Sequence, residues 1–111
     1  MPGRYAYTRR QRLLKGAEFA AVFAARLYHR SRSYLVMCRP NELGYARLGM
    51  VVAKRQFKRA VDRNRMRRII RETFRLHSPD LPAMDVVVKV RGVPPEGEAA
   101  AELADVLARL K

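Results

Sequence analysis

The chain has 111 residues, 49% of them apolar, which is enough for one domain with a modest core and too little for two. It carries 24 Lys and Arg against 10 Asp and Glu, a net charge of +14 that opposes compaction unless a polyanion offsets it. The longest uncharged apolar run, residues 19–25, is far short of a membrane span, and the basic N-terminus lacks an apolar stretch of signal-peptide length, so a cytoplasmic protein is the simplest reading.

Charge is uneven along the chain. Residues 1–91 hold 22 basic and 6 acidic side chains, while residues 92–111 hold 2 and 4, so the basic surface belongs to the first four fifths and the C-terminal segment has another task. The lone cysteine, Cys38, cannot form an internal disulfide and sits in an apolar run, which predicts a buried, inert thiol.

Residues 1–15 contain Arg4, Arg9, Arg10, Arg12 and Lys15 with no acid and read as a basic arm. An alanine-rich first helix is predicted over residues 17–26 and a loop over residues 27–32. Residues 33–39 (SYLVMCR) are rich in strand formers and stop at Pro40. A turn at residues 41–44 leads to a second strand over residues 47–53, so the two are expected to form a hairpin. The longest helix is predicted over residues 59–76, ended by Ser78-Pro79, with Pro82 keeping the linker non-helical. Residues 84–90 (MDVVVKV) form a third strand covered on at least one face. In a last helix over residues 96–110, Leu103, Val106, Leu107 and Leu110 make one apolar stripe, with Glu96 and Glu98 at the favourable end of its dipole. This order predicts an α+β domain spanning the whole chain, a small mixed sheet with helices packed on one face.

The most informative segment is residues 54–75, KRQFKRAVDRNRMRRIIRETFR, where ten of 22 side chains are Lys or Arg. At 3.6 residues per turn, Met66, Ile69, Ile70, Thr73 and Phe74 share one arc, and Asn64, Arg65, Arg67, Arg68, Arg71 and Arg75 share the opposite one. A face built for solubility would mix signs and favour Lys and Glu. Arginine is suited to bidentate phosphate contact and to stacking on bases, which points to nucleic acid without choosing between DNA and RNA. A catalytic centre is not evident in the chain itself. His29 and His77 are isolated, the acids are scattered, and no carboxylate cluster suited to two metal ions stands out.

Several of these residues together resemble a known family. Ala53-Lys54-Arg55 at a strand end, then Lys58-Arg59-Ala60-Val61, Arg63-Asn64-Arg65 and Arg67-Arg68, resemble the signature of the bacterial ribonuclease P protein family. Arg12-Leu13, Phe19, Val22-Phe23, Leu81-Pro82-Ala83-Met84-Asp85 and Gly92 agree with it, so the likeness runs over residues 12–93.

The resemblance implies an α–β sandwich with a left-handed βαβ crossover containing the basic helix. It implies a catalytic RNA partner that holds Mg²⁺ and hydrolyses the phosphodiester, and precursor tRNA as substrate, with no membrane and no small-molecule cofactor. It further implies that Lys54, Arg55, Lys58, Arg59, Arg63, Asn64, Arg65, Arg67, Arg68 and Arg71 contact the catalytic RNA. Phe19 and Phe23, with Arg12, would line a cleft for the single-stranded 5′ leader between the first helix and the sheet. Tyr34 is a further cleft candidate, replaced by Met37 if the strand presents its other face. From the residues alone, the two phenylalanines are equally readable as core. A ribosomal or other structural RNA-binding protein would share the charge and the fold. A helix-turn-helix DNA binder lacks support because no short second helix precedes the basic one, and a membrane-surface role conflicts with the core's need for the apolar face.

Overall fold

The computed structural model describes residues 16–25 and 27–110, so the basic arm with Arg12 lies outside the described residues. Helix α1 (Gly16–Ala25) is followed by β1 (Leu27–Arg30), β2 (Tyr34–Pro40) and β3 (Arg47–Val51). Then come α2 (Ala60–His77), a single 3₁₀ turn (Ser78–Asp80), β4 (Met84–Val90) and α3 (Ala99–Ala108). The four strands form one mixed sheet in the order β1-β2-β4-β3.

Two expectations about the sheet are corrected. Strands β2 and β3 do not form a hairpin, because β4 lies between them, antiparallel to β2 and parallel to β3. All seven residues of β2 find register partners on β4, from Tyr34 opposite Val90 to Pro40 opposite Met84. A strand written MDVVVKV buries apolar side chains on both faces, and only a central place in the sheet covers both. The hairpin partner of β2 is instead β1, in the segment expected to be a loop, with Tyr28 opposite Met37. Strands β3 and β4, joined through α2, supply the βαβ unit that the resemblance implies.

The helices also lie on both faces of the sheet rather than on one. The larger core gathers Tyr34, Val36 and Cys38 of β2, Leu48 of β3 and Val86, Val88 and Val90 of β4 beneath Met66, Ile70 and Phe74 of α2 and Leu103, Val106 and Leu107 of α3. A smaller core on the other face joins Val22 of α1 to Met37 and Val87, with Phe19, Leu35 and Val51 packed around it. The result is a three-layer arrangement in which alternate residues of β2 and β4 serve different helices. Cys38 is buried as expected, and burial pushes its thiol up, away from the reactive thiolate.

Two carboxylates, Asp85 buried and Glu102 half-buried, tie neighbouring elements together. Asp85, only 2% exposed, accepts from Arg47 Nε and Nη2 at 2.8 Å each and from Asn41 Nδ2 at 2.8 Å, linking β4 to β3 and to the loop after β2. Glu102 of α3 accepts from the Ser33 amide at 2.6 Å and from the Ser31 and Ser33 hydroxyls, pinning α3 to the β1–β2 turn. The expected helix start at Glu96 is therefore displaced: Gly97 takes a left-handed φ of 79° in the turn, and α3 begins at Ala99.

Burial alone would raise both carboxyl pKa values. In Asp85 the hydrogen bonds from Arg47 and Asn41 outweigh it, and in Glu102 those from Ser31 and Ser33 do, so both lie below their ordinary values. Because the folded values are depressed, the stability these groups add is complete above their unfolded values and is lost as the pH falls through the folded ones. We therefore expect the stability gap between the natural chain and Glu102→Gln to be largest at pH 7 and to narrow at pH 3 in urea melts. A gap independent of pH would contradict this role.

Candidate nucleic-acid interface

The basic face of α2 is built by the packing of its other side. Met66, Ile70, Thr73 and Phe74 are buried against the sheet, with Ile69 half-buried, which turns Asn64, Arg65 and Arg68 fully outward and leaves Arg67, Arg71 and Arg75 half-exposed. Lys54 and Arg55, in the turn after β3, and Lys58 and Arg59, just before the helix, extend the exposed cationic surface. Arg63 is different: its Nη1 donates to the Phe57 carbonyl at 2.8 Å and to the Lys58 carbonyl at 3.2 Å. It clamps the loop that leads into α2, so part of its guanidinium is already engaged.

The two acids of this helix, Asp62 and Glu72, lie nearest to other arginines. Asp62 lies 3.9 Å from Arg59, and Glu72 pairs with Arg75 at 2.8 Å. Among the described residues, neither pairs with Arg65, Arg68 or Arg71. Like charges at spacings of three and four cost an isolated helix a few tenths of a kcal/mol per pair, a cost that burial of Ile70 and Phe74 offsets many times over. A polyanion lying against such a face would relieve that repulsion.

The second surface lies where α1 crosses the sheet. Phe19 is half-buried against the smaller core and Phe23 is 45% exposed, with their ring centroids 6.5 Å apart. Met37 projects to this face, as do its neighbours Leu35 and Val87. Tyr34 does not. It is fully buried on the opposite face, where its hydroxyl donates to the Ala99 carbonyl at 2.9 Å, and burial followed by the nearby Glu102 carboxylate pushes the phenol above its ordinary value. Strand alternation thus removes Tyr34 from the candidate cleft and puts Met37 there.

The structure adds residues that the sequence did not single out. Tyr28 shares a face with its register partner Met37, is 50% exposed, and carries the Arg30 guanidinium 5.3 Å from its ring centroid. Arg39 and Lys89 fall on the same face by alternation from Met37 and Val87. The signal was available for Arg39 and Lys89 once the strand faces were known, whereas β1 is too short and too exposed to announce itself.

Among the described residues, no three His, Cys, Asp or Glu side chains converge to hold a metal ion, and no helix is long and apolar enough to cross a membrane.

Comparison with known proteins matches residues 7–111 to the profile of the family described as ribonuclease P. The chain belongs to the ribonuclease P protein family. It is 49% identical over 86 residues to the ribonuclease P protein component of Chromohalobacter salexigens, an alignment covering 77% of this chain and 67% of that protein. It is 48% identical over 77 residues to that of Coxiella burnetii, covering 69% and 64%. Among solved structures, the Staphylococcus aureus RNase P protein superposes with a TM-score of 0.83 at 30% identity, over 91% of this chain and 95% of that one. The Thermotoga maritima RNase P protein gives 0.75 at 26% identity, over 90% and 97%. The mixed sheet flanked by helices is therefore the architecture of this family.

Proposed function

We propose that the chain is the protein subunit of ribonuclease P, which binds a catalytic RNA and precursor tRNA in the cytoplasm and promotes removal of the 5′ leader. The observation that carries this reading is the outward row Arg65, Arg68 and Arg71, free of acidic partners, in a chain of this family. Guanidinium groups on one rigid helix can each take a phosphate bidentately, fixing the protein's register on a folded RNA. Lys54, Arg55, Lys58, Arg59 and Arg67 widen that footprint, while Arg63 and Asn64 shape its start.

In the same proposal the leader lies across the α1 face of the sheet. Phe19 and Phe23 offer rings to unpaired bases, Met37 lines the floor, and Tyr28 with Arg30 continues the surface at the sheet edge. Stacking on such rings tolerates any base, which suits a substrate segment that varies from one tRNA to another. Mg²⁺ would sit on the RNA subunit, where it would supply the Lewis acid for phosphodiester hydrolysis. The protein's own contribution is to bind, to orient the leader and to neutralise backbone charge.

Reconstitution tests the reading. Added to a bacterial ribonuclease P RNA and precursor tRNA at low Mg²⁺, the chain should raise leader removal, and an absent gain would favour a structural RNA-binding role instead. Phe23→Ala should weaken binding of leader-bearing substrate about fivefold or more, since one base stacked on an aromatic ring contributes roughly 1–3 kcal/mol. Binding of mature tRNA should be unchanged, and an equal loss for both substrates would remove Phe23 from the leader path.

A further inference from the structure

A second cluster of arginines surrounds the turn from β1 to β2, at the edge of the sheet away from β3. Arg30 and Arg32 flank Ser31 in this turn, Arg91 follows β4, and Arg109 ends α3. All four are exposed. Two of them are anchored on the turn itself: Arg109 Nη1 donates to the Arg30 carbonyl at 3.2 Å, and Arg91 Nη1 donates to the Ser31 carbonyl at 3.4 Å. The Arg30 guanidinium stands over the Tyr28 ring. Among the described residues, none of the four makes an ion pair, although Asp105 lies one turn from Arg109 on α3. Glu102 feels the charge of Arg32, but its oxygens already accept from the Ser31 hydroxyl and from the Ser33 amide and hydroxyl.

We propose that this turn is a second phosphate-binding site, which holds the backbone of the 5′ leader beyond its aromatic stacking face. The proposal rests on the function proposed above and extends its contact with substrate. A guanidinium carries five N–H donors in a fork, so Arg91 and Arg109 each keep an Nε–Nη2 edge for bidentate contact with a phosphate. Their anchorage on backbone carbonyls restrains the side chains before RNA arrives, which lowers the entropy cost of binding. The cluster does not continue the arginine row of α2. Helix α3 packs beside α2 and is pinned to the turn through Glu102, so the acids Glu102 and Asp105 separate the two cationic surfaces. It does continue the α1 face. Three residues of β2 lead from Met37 back to Tyr34 at the turn, about 10 Å at roughly 3.3 Å each, which about three stacked nucleotides span. With the catalytic RNA along α2, which packs by β3, the cut falls towards that edge and the β1 edge takes the distal leader.

The test assembles the full chain with full-length ribonuclease P RNA and titrates precursor tRNAs with leaders of about 2 to about 12 nucleotides, a range set by single-strand site sizes. With the natural chain, the long leader should bind more tightly, with a salt slope steeper by about 0.7 for each phosphate gained. Joint Arg32→Gln and Arg109→Gln should lower affinity for the long-leader substrate about tenfold and remove the added slope. Binding of the short-leader substrate, of mature tRNA and of the catalytic RNA alone should match the natural chain. Joint Arg32→Lys and Arg109→Lys keeps the charge without the fork, so it should retain the added slope and recover part of the affinity. Both side chains are exposed, so urea melts should show either variant folded as the natural chain is. A loss of equal size at every leader length, a loss of affinity for the catalytic RNA alone, or no loss at all would overturn the proposal. Failure of the natural chain to favour leader-bearing substrate over mature tRNA would instead defeat the functional reading on which it stands.

Discussion

Replacing Arg65 and Arg68 together with alanine should lower affinity for the ribonuclease P RNA about a hundredfold at fixed salt and leave the fold intact. Both side chains are exposed on α2 and, among the described residues, unpaired with Asp62 or Glu72, so their removal breaks no internal ion pair. It also relieves repulsion at a spacing of three, so stability should hold or rise by a few tenths of a kcal/mol. A hydrogen bond to a charged group contributes roughly 1.5 kcal/mol or more, which is about tenfold in affinity for each arginine. The slope of log affinity against log salt should shrink by about 0.7–0.9 for each phosphate that the protein no longer neutralises. A salt titration of binding by the single and double variants measures both quantities. Unchanged affinity at matched salt would contradict a role for these arginines in RNA binding.

Phe74→Ala should have the opposite profile, a large loss of stability from a residue that never meets RNA. Its ring is fully buried in the larger core, on the side of α2 away from the arginine row. Truncating a core phenylalanine costs roughly 3–5 kcal/mol, through lost transfer energy and the cavity left behind. Domains of this size have only about 5–15 kcal/mol in total, so the melting temperature should drop by well over 10 °C. Any fraction that remains folded should bind RNA with its salt slope intact. A stability loss below about 1 kcal/mol would mean that α2 is not held by this packing.

The sequence disclosed the long-range frame unevenly. Helix α2 and strand β4 were legible because their patterns are strong and local: five turns of 3.6-residue periodicity in one, an almost unbroken valine run in the other. The pairing of β2 is not legible locally, because Asn41 to Gly44 looks like a hairpin turn while the strand that displaces β3 lies more than 40 residues further on. Local turn chemistry cannot report a better partner elsewhere. Strand β1 carries no strand signal of its own, because its four residues are mostly exposed and show no buried alternation.

The site divided in the same way. The arginine face followed directly from helical spacing, and the structure keeps it exposed. The cleft did not, because YLVMC is apolar on both faces of β2 and its alternation cannot tell which face meets α1. Placing Tyr34 under α3 and Met37 under α1 required the two cores to be seen separately.

Directed cleavage of the RNA tests the central claim most directly. With the buried Cys38 replaced by serine, a hydroxyl-radical reagent can be tethered through Arg68→Cys on α2, or through Asp105→Cys on the acidic helix α3. Strand cuts in the ribonuclease P RNA confined to the complex tethered at position 68 are the expected result. Equal cutting from both positions, or cutting from position 105 alone, would contradict an arginine face of α2 set against the RNA backbone.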